Sequence, residues 1–196
     1  MDLAVIALTF GAIFLVELPD KTFLATLVLA TRFRPLFVWV GVSLAFAVQT
    51  TVAVGLGHLA SLLPTTVVRT GALAMFLVGA VLLFREGLSH HRASGEQYVE
   101  RAGDVHGAKV ILASFLVLFA AEWGDLSQLL TLSLVAKYAA PASVFVGALT
   151  ALVTVSGLAV VVGRGLLRVV SLHALHYAGA VVCLLLAGLT AYELLG

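Results

Sequence analysis

The stretch FLVELPDKTF, residues 14–23, places Glu17, Asp20 and Lys21 inside an apolar run that extends from about residue 3 to residue 30. A charge at the centre of a bilayer costs about 2.5–3.5 kcal/mol on insertion scales, so charged residues in such a run need a specific reason. The whole chain is apolar: 62% of its 196 residues are hydrophobic and 11% are charged, against about 25% charged in soluble domains. This composition predicts an all-α polytopic membrane protein.

Six apolar runs are long enough to cross a hydrocarbon core, which requires about 20 residues per helix. They cover residues 3–30, 36–62, 66–87, 108–137, 142–168 and 172–195. The first run has no basic amino-terminal region and carries acids near its centre, so we expect it to be retained as a helix and not cleaved as a signal peptide. The single cysteine, Cys183, lies in the last run, where we expect it to serve helix packing.

Basic residues are distributed unequally between the two ends of the six predicted helices. The connections after the first, third and fifth helices hold Arg32, Arg34, Arg85, Arg92, Arg101, Lys109, Arg164 and Arg168. The connections on the other side hold only Arg69 and Lys137. By the positive-inside rule, this asymmetry predicts a multi-pass protein of the cytoplasmic (inner) membrane, with the loop 88–107 in the cytoplasm and both termini outside.

A second acidic motif lies in FAAEWGDLSQLLTLSL, residues 119–134, where Glu122 and Asp125 have the spacing of Glu17 and Asp20, 105 residues further along the chain. Because each half has three helices, an odd number, the second half must enter the membrane upside down. We therefore predict an inverted 3+3 repeat, an architecture typical of secondary transporters, with the substrate site near the membrane midplane. Its parts are a first repeat of residues 1–88, a cytoplasmic linker of residues 89–107 and a second repeat of residues 108–196.

Four intramembrane acids represent roughly 10 kcal/mol of insertion cost unless a cation or protons neutralise them. Carboxylate, amide and hydroxyl oxygens are hard ligands that suit Ca²⁺, Mn²⁺ or Mg²⁺, and no cysteine or histidine lies near either motif to favour zinc or copper. The net charge of +1 gives no indication of nucleic-acid binding. The predicted partners are therefore a divalent metal ion, protons and the lipid bilayer, and a homo-oligomer is left open.

The geometry of each motif depends on whether its helix is continuous. On an unbroken helix, acids at i and i+3 share one face, and Gln128 extends the face of Glu122 and Asp125. Pro19 and Gly124 lie between the acids and weaken the helix there. Thr22 and Ser127 point away from the acids on an ideal helix, so their role as ligands requires local unwinding.

Other functions and simpler explanations remain open at this stage. An acid-lined divalent cation channel also accounts for intramembrane carboxylates, and two membrane aspartates resemble an intramembrane aspartyl-type hydrolase, which leaves the glutamates unexplained. For Lys21, a structural salt bridge is a simpler role than a catalytic one. A further group of polar residues could line the transport pathway, and ordinary interhelical hydrogen bonds are the simpler explanation for them. These are Gln49, Thr50, Thr51 and Thr154.

The motifs ELPDKT, from Glu17, and EWGDLSQ, from Glu122, resemble the twin E-x-G-D-[KR]-[ST] motifs of the GDT family of calcium and manganese/proton exchangers. The resemblance implies a secondary transporter, not an enzyme, which exchanges Mn²⁺ and/or Ca²⁺ for protons and exports the metal from the cytoplasm. It implies no prosthetic group, since the metal is the substrate. Two residues depart from the family pattern: Pro19 replaces a glycine, and Leu126 replaces a base. The metal ligands that it implies are Glu17, Asp20, Glu122 and Asp125, with Thr22, Ser127 and Gln128 in support.

Overall fold

The protein is described here by a computed structural model that covers residues 1–18, 20–88, 96–103, 105–161 and 172–195. Within these ranges the chain is all-helical and contains no strand. Pro19, part of the predicted linker and the end of the fifth apolar run lie outside the described residues. The helices are α1 (Leu3–Glu17), α2 (Lys21–Arg32), α3 (Pro35–Ala60), α4 (Thr65–Leu88), α5 (Glu96–Ala102), α6 (Lys109–Ala121), α7 (Leu126–Tyr138), α8 (Pro141–Val161) and α9 (Leu172–Leu195).

Four of these helices contain segments that are individually long and apolar enough to cross a membrane. The segments are Pro35–Ala60, Thr65–Glu86, Pro141–Val161 and His176–Leu195. The first and fourth apolar runs are each a pair of shorter helices, bent by 69° between α1 and α2 and by 72° between α6 and α7. We refer to α1, α2, α6 and α7 as half-helices. The described part of the chain thus offers four membrane spans, or six if each bent pair is one span.

The two acidic motifs lie at the breaks between half-helices, and this corrects the picture of acids sharing one face of a continuous helix. In the second motif the helix ends at Ala121 and resumes at Leu126, and Gly124 between them has a φ of 78°. Left-handed backbone of this kind disfavours residues with a Cβ and cannot continue a right-handed helix. In the first motif, the sequence itself explains the break: residue 19 is a proline, which lacks the N–H that a continuing helix requires.

Half-helices of one half pack closely on long helices of the other half. α1 packs on α8, α6 packs on α3, and α3 also packs on α8. Glycines permit the close approach: a Cβ at Gly147 would lie 2.7 Å from the Ile6 carbonyl oxygen, and a Cβ at Gly41 would collide with the Ile111 carbonyl oxygen. Small residues at crossings let membrane helices associate by backbone contact, so these two glycines position α1 and α6.

Helices α4 and α9 form an antiparallel pair beside the half-helices. Near the start of α4, Arg69 donates a hydrogen bond of 2.7 Å to the backbone oxygen of Glu193, near the end of α9. At the other end of the pair, His176 Nε2 lies 3.6 Å from Glu86 Oε2. As expected, Cys183 is buried and serves packing, within van der Waals distance of a Cβ built at Gly79.

Candidate metal centre

Each break places one acid at the end of a half-helix and the other at the start of the next. Glu17 is the last residue of α1, and Asp20 is the N-cap of α2. Glu122 is the C-cap of α6, and Asp125 is the N-cap of α7. The bends therefore turn both carboxylates of each motif toward a common centre.

The acids of the two motifs converge, although they are 105 residues apart in sequence. One carboxylate oxygen each from Glu17, Asp20 and Asp125 lies within 4.8 Å of the other two, an arrangement able to hold a metal ion. Glu122 is close enough to all three to interact with them electrostatically. The structure thus brings three of the four acids that the sequence singles out into one cluster and places Glu122 near them.

The two glutamates are buried without the partners that a buried carboxylate normally has. Glu17 is 0% exposed and Glu122 is 3% exposed. Among the residues that the structure describes, none of their four carboxylate oxygens has a hydrogen-bond partner. The hydroxyl groups of Thr22 and Ser127 are near Glu17 but do not reach hydrogen-bonding geometry with it. Buried charges in proteins are paired or coordinate metals, so this cluster requires a cation or protons.

The two aspartates occupy N-cap positions but do not cap their helices. Asp2, the N-cap of α1, accepts hydrogen bonds from the backbone N–H groups of Ala4 and Val5, the usual role of such a residue. Asp20 and Asp125 make no such bond. The carboxylates of these two residues are instead available to other side chains and to a ligand.

Lys21 forms the salt bridge that its sequence position suggested. Its Nζ lies 3.1 Å from Asp125 Oδ1, so the ion pair joins the first motif to the second. On the other side of the cluster, Thr22 Oγ1 donates a hydrogen bond of 3.2 Å to Asp20 Oδ2. One lysine facing four acids leaves the centre with an excess of negative charge when the acids are ionised.

Gln128 acts on the break itself. Its Oε1 accepts a hydrogen bond of 2.7 Å from the backbone N–H of Gly124, and this bond holds the turn that precedes α7. The amide oxygen of Gln128 is therefore already engaged in this hydrogen bond. Ser127 and Thr22 lie beside the acids, a placement that the sequence predicted only if the helix unwinds locally.

A small pocket beside Glu122 includes Gln49 and Thr50 of α3, for which the sequence favoured interhelical hydrogen bonds over a place in the pathway. Gln49 Nε2 donates a hydrogen bond of 3.0 Å to the carbonyl oxygen of Phe119 in the last turn of α6, and Thr50 Oγ1 has no partner among the described residues. Their signal in the sequence is adjacent polar residues in a long apolar helix. Thr51 and Thr154, by contrast, bond to carbonyls of their own helices. The pocket is lined by Phe46, Gln49, Thr50, Ala53, Glu122, Ser127, Gln128, Thr131 and Leu152.

Comparison with known proteins identifies the family to which this chain belongs. The sequence profile of the family described as Divalent cation/proton antiporter GDT1 matches residues 5–91 and 110–196, one segment in each half. The chain belongs to this GDT1 family. The family is described as one of antiporters, which agrees with the motifs' prediction of a transporter and not an enzyme.

Relatives of the GDT1 family resemble most of the chain. It is 33% identical over 135 residues to GDT1-like protein sll0615 of Synechocystis sp., covering 62% of this chain and 65% of the relative. It is 30% identical over 210 residues to Protein PAM71, chloroplastic, of Arabidopsis thaliana, covering 96% and 56%, respectively. It is 28% identical over 211 residues to GDT1-like protein 1, chloroplastic, of Oryza sativa subsp. indica, covering 96% and 62%. The chain thus spans 56–65% of the length of these relatives. No solved structure matches it significantly.

Proposed function

We propose that this chain is a membrane antiporter that exchanges a divalent cation, Mn²⁺ and/or Ca²⁺, for protons and moves the metal out of the cytoplasm. One observation carries the proposal: Glu17 and Glu122 are buried, their oxygens lack hydrogen-bond partners among the described residues, and they adjoin Asp20 and Asp125. Hard oxygen ligands favour Mn²⁺ and Ca²⁺ over softer metals. Membership of the GDT1 family supports the same function.

In this proposal the four acids bind the transported ion directly. Glu17, Asp20 and Asp125 supply oxygens that already lie within 4.8 Å of one another, and Glu122 adds a fourth carboxylate nearby. Three further residues support them. Thr22 and Ser127 offer hydroxyl oxygens beside Glu17, and Gln128 holds the break through Gly124.

Coupling to protons follows from charge. Two carboxylates about 5 Å apart at an effective dielectric near 20 repel each other by roughly 3 kcal/mol, so an empty, fully ionised cluster is unfavourable. Either protons or a divalent cation relieves this repulsion, and each excludes the other because metal ligands must be deprotonated. By linkage, protons weaken metal binding to the same extent that metal displaces protons.

We further propose that residues 1–88 and 108–196 are inverted repeats joined by the linker 89–107. Matched contacts support this arrangement. Gly41 packs on Ile111 and Ser114, and Gly147 packs on Ile6 and Thr9. Ile111 and Ser114 come 105 residues after Ile6 and Thr9, respectively. The antiparallel course of α4 and α9, which would be equivalent helices, agrees with an inverted relation.

The direction of transport rests on orientation. The excess of Lys and Arg on the linker side supports a cytoplasmic linker. In a cell with an inward proton gradient, exchange at a site that alternates between the two faces drives metal outward.

Purified protein in proteoliposomes tests this function. With an acidic lumen, external Mn²⁺ or Ca²⁺ should enter and drive saturable proton efflux, followed with a pH-sensitive dye inside the vesicles. The Asp20→Asn/Asp125→Asn variant, reconstituted at the same density, is the control. Metal flux without any counter-movement of protons would indicate a channel and contradict the antiporter.

A further inference from the structure

The α4/α9 pair packs unequally on the four half-helices. α9 packs on α1, and α4 packs on α7; within the described ranges, neither α2 nor α6 packs comparably against the pair. α2 and α6 both pack on α5, which belongs to the linker, so they extend from the acids toward the face of the bundle that we call the linker face. α1 and α7 extend toward the opposite face. Among the described residues, the α4/α9 pair therefore packs on the half-helices of the opposite face and not comparably on those of the linker face.

An ion pair made by a buried lysine side chain holds the α4/α9 pair in this position. Lys137, at the end of α7, has a side chain that is only 2% exposed, and its Nζ lies 3.5 Å from Glu193 Oε1 on α9. The same Nζ is 2.8 Å from Thr190 Oγ1, and Arg69 of α4 contacts Glu193 as well. These contacts tie the far end of α7, the half-helix that follows Asp125, to both helices of the pair.

Residues at the repeat-equivalent positions form a second, similar set of ionisable groups. Arg32 is the basic residue in the last turn of α2, as Lys137 is in the last turn of α7, 105 residues later. Glu86 corresponds to Glu193, 107 residues later, and His176 corresponds to Arg69, 107 residues earlier. Glu86 pairs with His176, but the described contacts include no ion pair between Arg32 and Glu86, and Arg32 is exposed.

We propose that α4 and α9 form a gate that swings between the two pairs of half-helices, with Lys137–Glu193 as the latch of one state and Arg32–Glu86 as the latch of the other. The inference rests on the proposed antiport and inverted repeat, because two inverted repeats reach the opposite state by exchanging their conformations. In the second state α9 packs on α2 and α4 packs on α6. The linker face is then closed and the acids open to the opposite face.

Cysteine cross-linking in membranes of the full-length chain tests the gate. In a Cys183→Ala background, one variant carries Lys137→Cys with Glu193→Cys, and the other carries Arg32→Cys with Glu86→Cys. A short thiol cross-linker with a cleavable disulfide should link each pair. Each link should stop metal and proton exchange, and its reduction should restore exchange, since a gate fixed in either state cannot alternate.

Weakening one latch should favour the other state. Lys137→Met should raise the yield of the 32–86 link several-fold, because it removes the ion pair of the observed state. Thr190→Val is a milder change, which removes the hydrogen bond from Lys137 and a bond within α9 to the Leu186 carbonyl, and it should shift the yield in the same direction. Pairing Arg32→Cys with Arg85→Cys is the matched control: Arg85 adjoins Glu86 but faces about 100° away around α4, so it should link poorly.

The outcomes separate the gate from the transport proposal. Cross-link yield measures proximity, so a 32–86 link that forms and increases with Lys137→Met supports the gate even if no metal flux is found. Efficient 137–193 linking with no 32–86 link under any condition, or full exchange with the 137–193 link in place, would overturn the gate and leave the metal site untouched.

Discussion

Asp20 and Asp125 illustrate how neighbours decide the role of a single side chain. Both are N-cap residues, like Asp2, yet only Asp2 bonds to the free N–H groups of its helix. Asp125 is paired with Lys21 from the other motif, and Asp20 lies within reach of Glu17. The same residue type at the same helix position therefore serves local structure in one case and the acidic centre in the others.

Replacing either centre aspartate with its amide should abolish metal transport. Asp20→Asn or Asp125→Asn removes a charged oxygen ligand, while insertion should become easier because an intramembrane charge is lost. Metal uptake into vesicles and the amount of protein in the membrane are the two measurements. Asp2→Asn is the matched control, since asparagine caps helices as well as aspartate does. Near-normal transport by both centre variants would rule out the proposed ligands.

At the scale of helices, the break between α6 and α7 depends on Gly124. Its φ of 78° lies in the left-handed region, and a Cβ built on it would have no atom within 4 Å. Any effect of adding a side chain there therefore comes from backbone strain and not from crowding. Gln128, which accepts the Gly124 N–H, reinforces the same turn.

Gly124→Ala should destabilise the protein by about 1–2 kcal/mol, the usual difference for a left-handed residue with a Cβ. Gly124→Asn should destabilise the protein less, because asparagine tolerates this conformation. Thermal unfolding in detergent measures the stability of both variants. Gly11→Ala provides the control: Gly11 lies inside α1 with open space around it, so alanine should be neutral or stabilising by up to about 1 kcal/mol. Equal stability of Gly124→Ala and wild type would show that the turn is not strained.

The crossing of α1 and α8 supports a second prediction at this scale. Gly147→Ala should lower the unfolding temperature and impair transport, because its Cβ would lie 2.7 Å from a backbone oxygen that cannot move without shifting α1. Gly188→Ala, in a helix position with open space, is the comparison and should leave both properties unchanged. If the two variants behave alike, the close crossing is not needed to position Glu17.

For the whole molecule, the decisive feature is that neither half holds a complete centre. Glu17 and Asp20 come from one half, Glu122 and Asp125 from the other, and the Lys21–Asp125 ion pair crosses between them. In the proposed function both halves hold the bound ion, so a movement between the half-helices of the two motifs would change its coordination.

Metal affinity should increase with pH. At low pH the carboxylates hold protons and metal must displace them; at higher pH they are ionised and metal binds without competition. The affinity should rise by about tenfold per pH unit for each proton displaced. Calorimetry in buffers of different ionisation enthalpy measures both affinity and proton release. Affinity that is flat from about pH 5 to 8, with no proton release, would leave a metal site but exclude proton exchange.

Much of the fold and of the candidate centre can be predicted from local chemistry. Apolar runs of about 20 residues predict membrane helices because the bilayer leaves backbone groups no other partners. Repeated acids in such runs identify the centre because their cost is large wherever they lie in the membrane. Pro19 and Gly124 indicate where the helices weaken, since their backbone preferences do not depend on distant neighbours.

The remaining features depend on contacts between residues far apart in the chain. The bends of 69° and 72°, the meeting of Asp20 with Asp125, and the place of Gln49 and Thr50 beside Glu122 all follow from how helices pack across the bundle. The packing of α9 on α1 and of α4 on α7 is likewise decided by contacts between distant parts of the chain. Apolar helix faces in a membrane are nearly interchangeable in hydrophobicity, so close backbone contacts at glycines and pairing of buried charges select the partners, and these arise only in the folded chain.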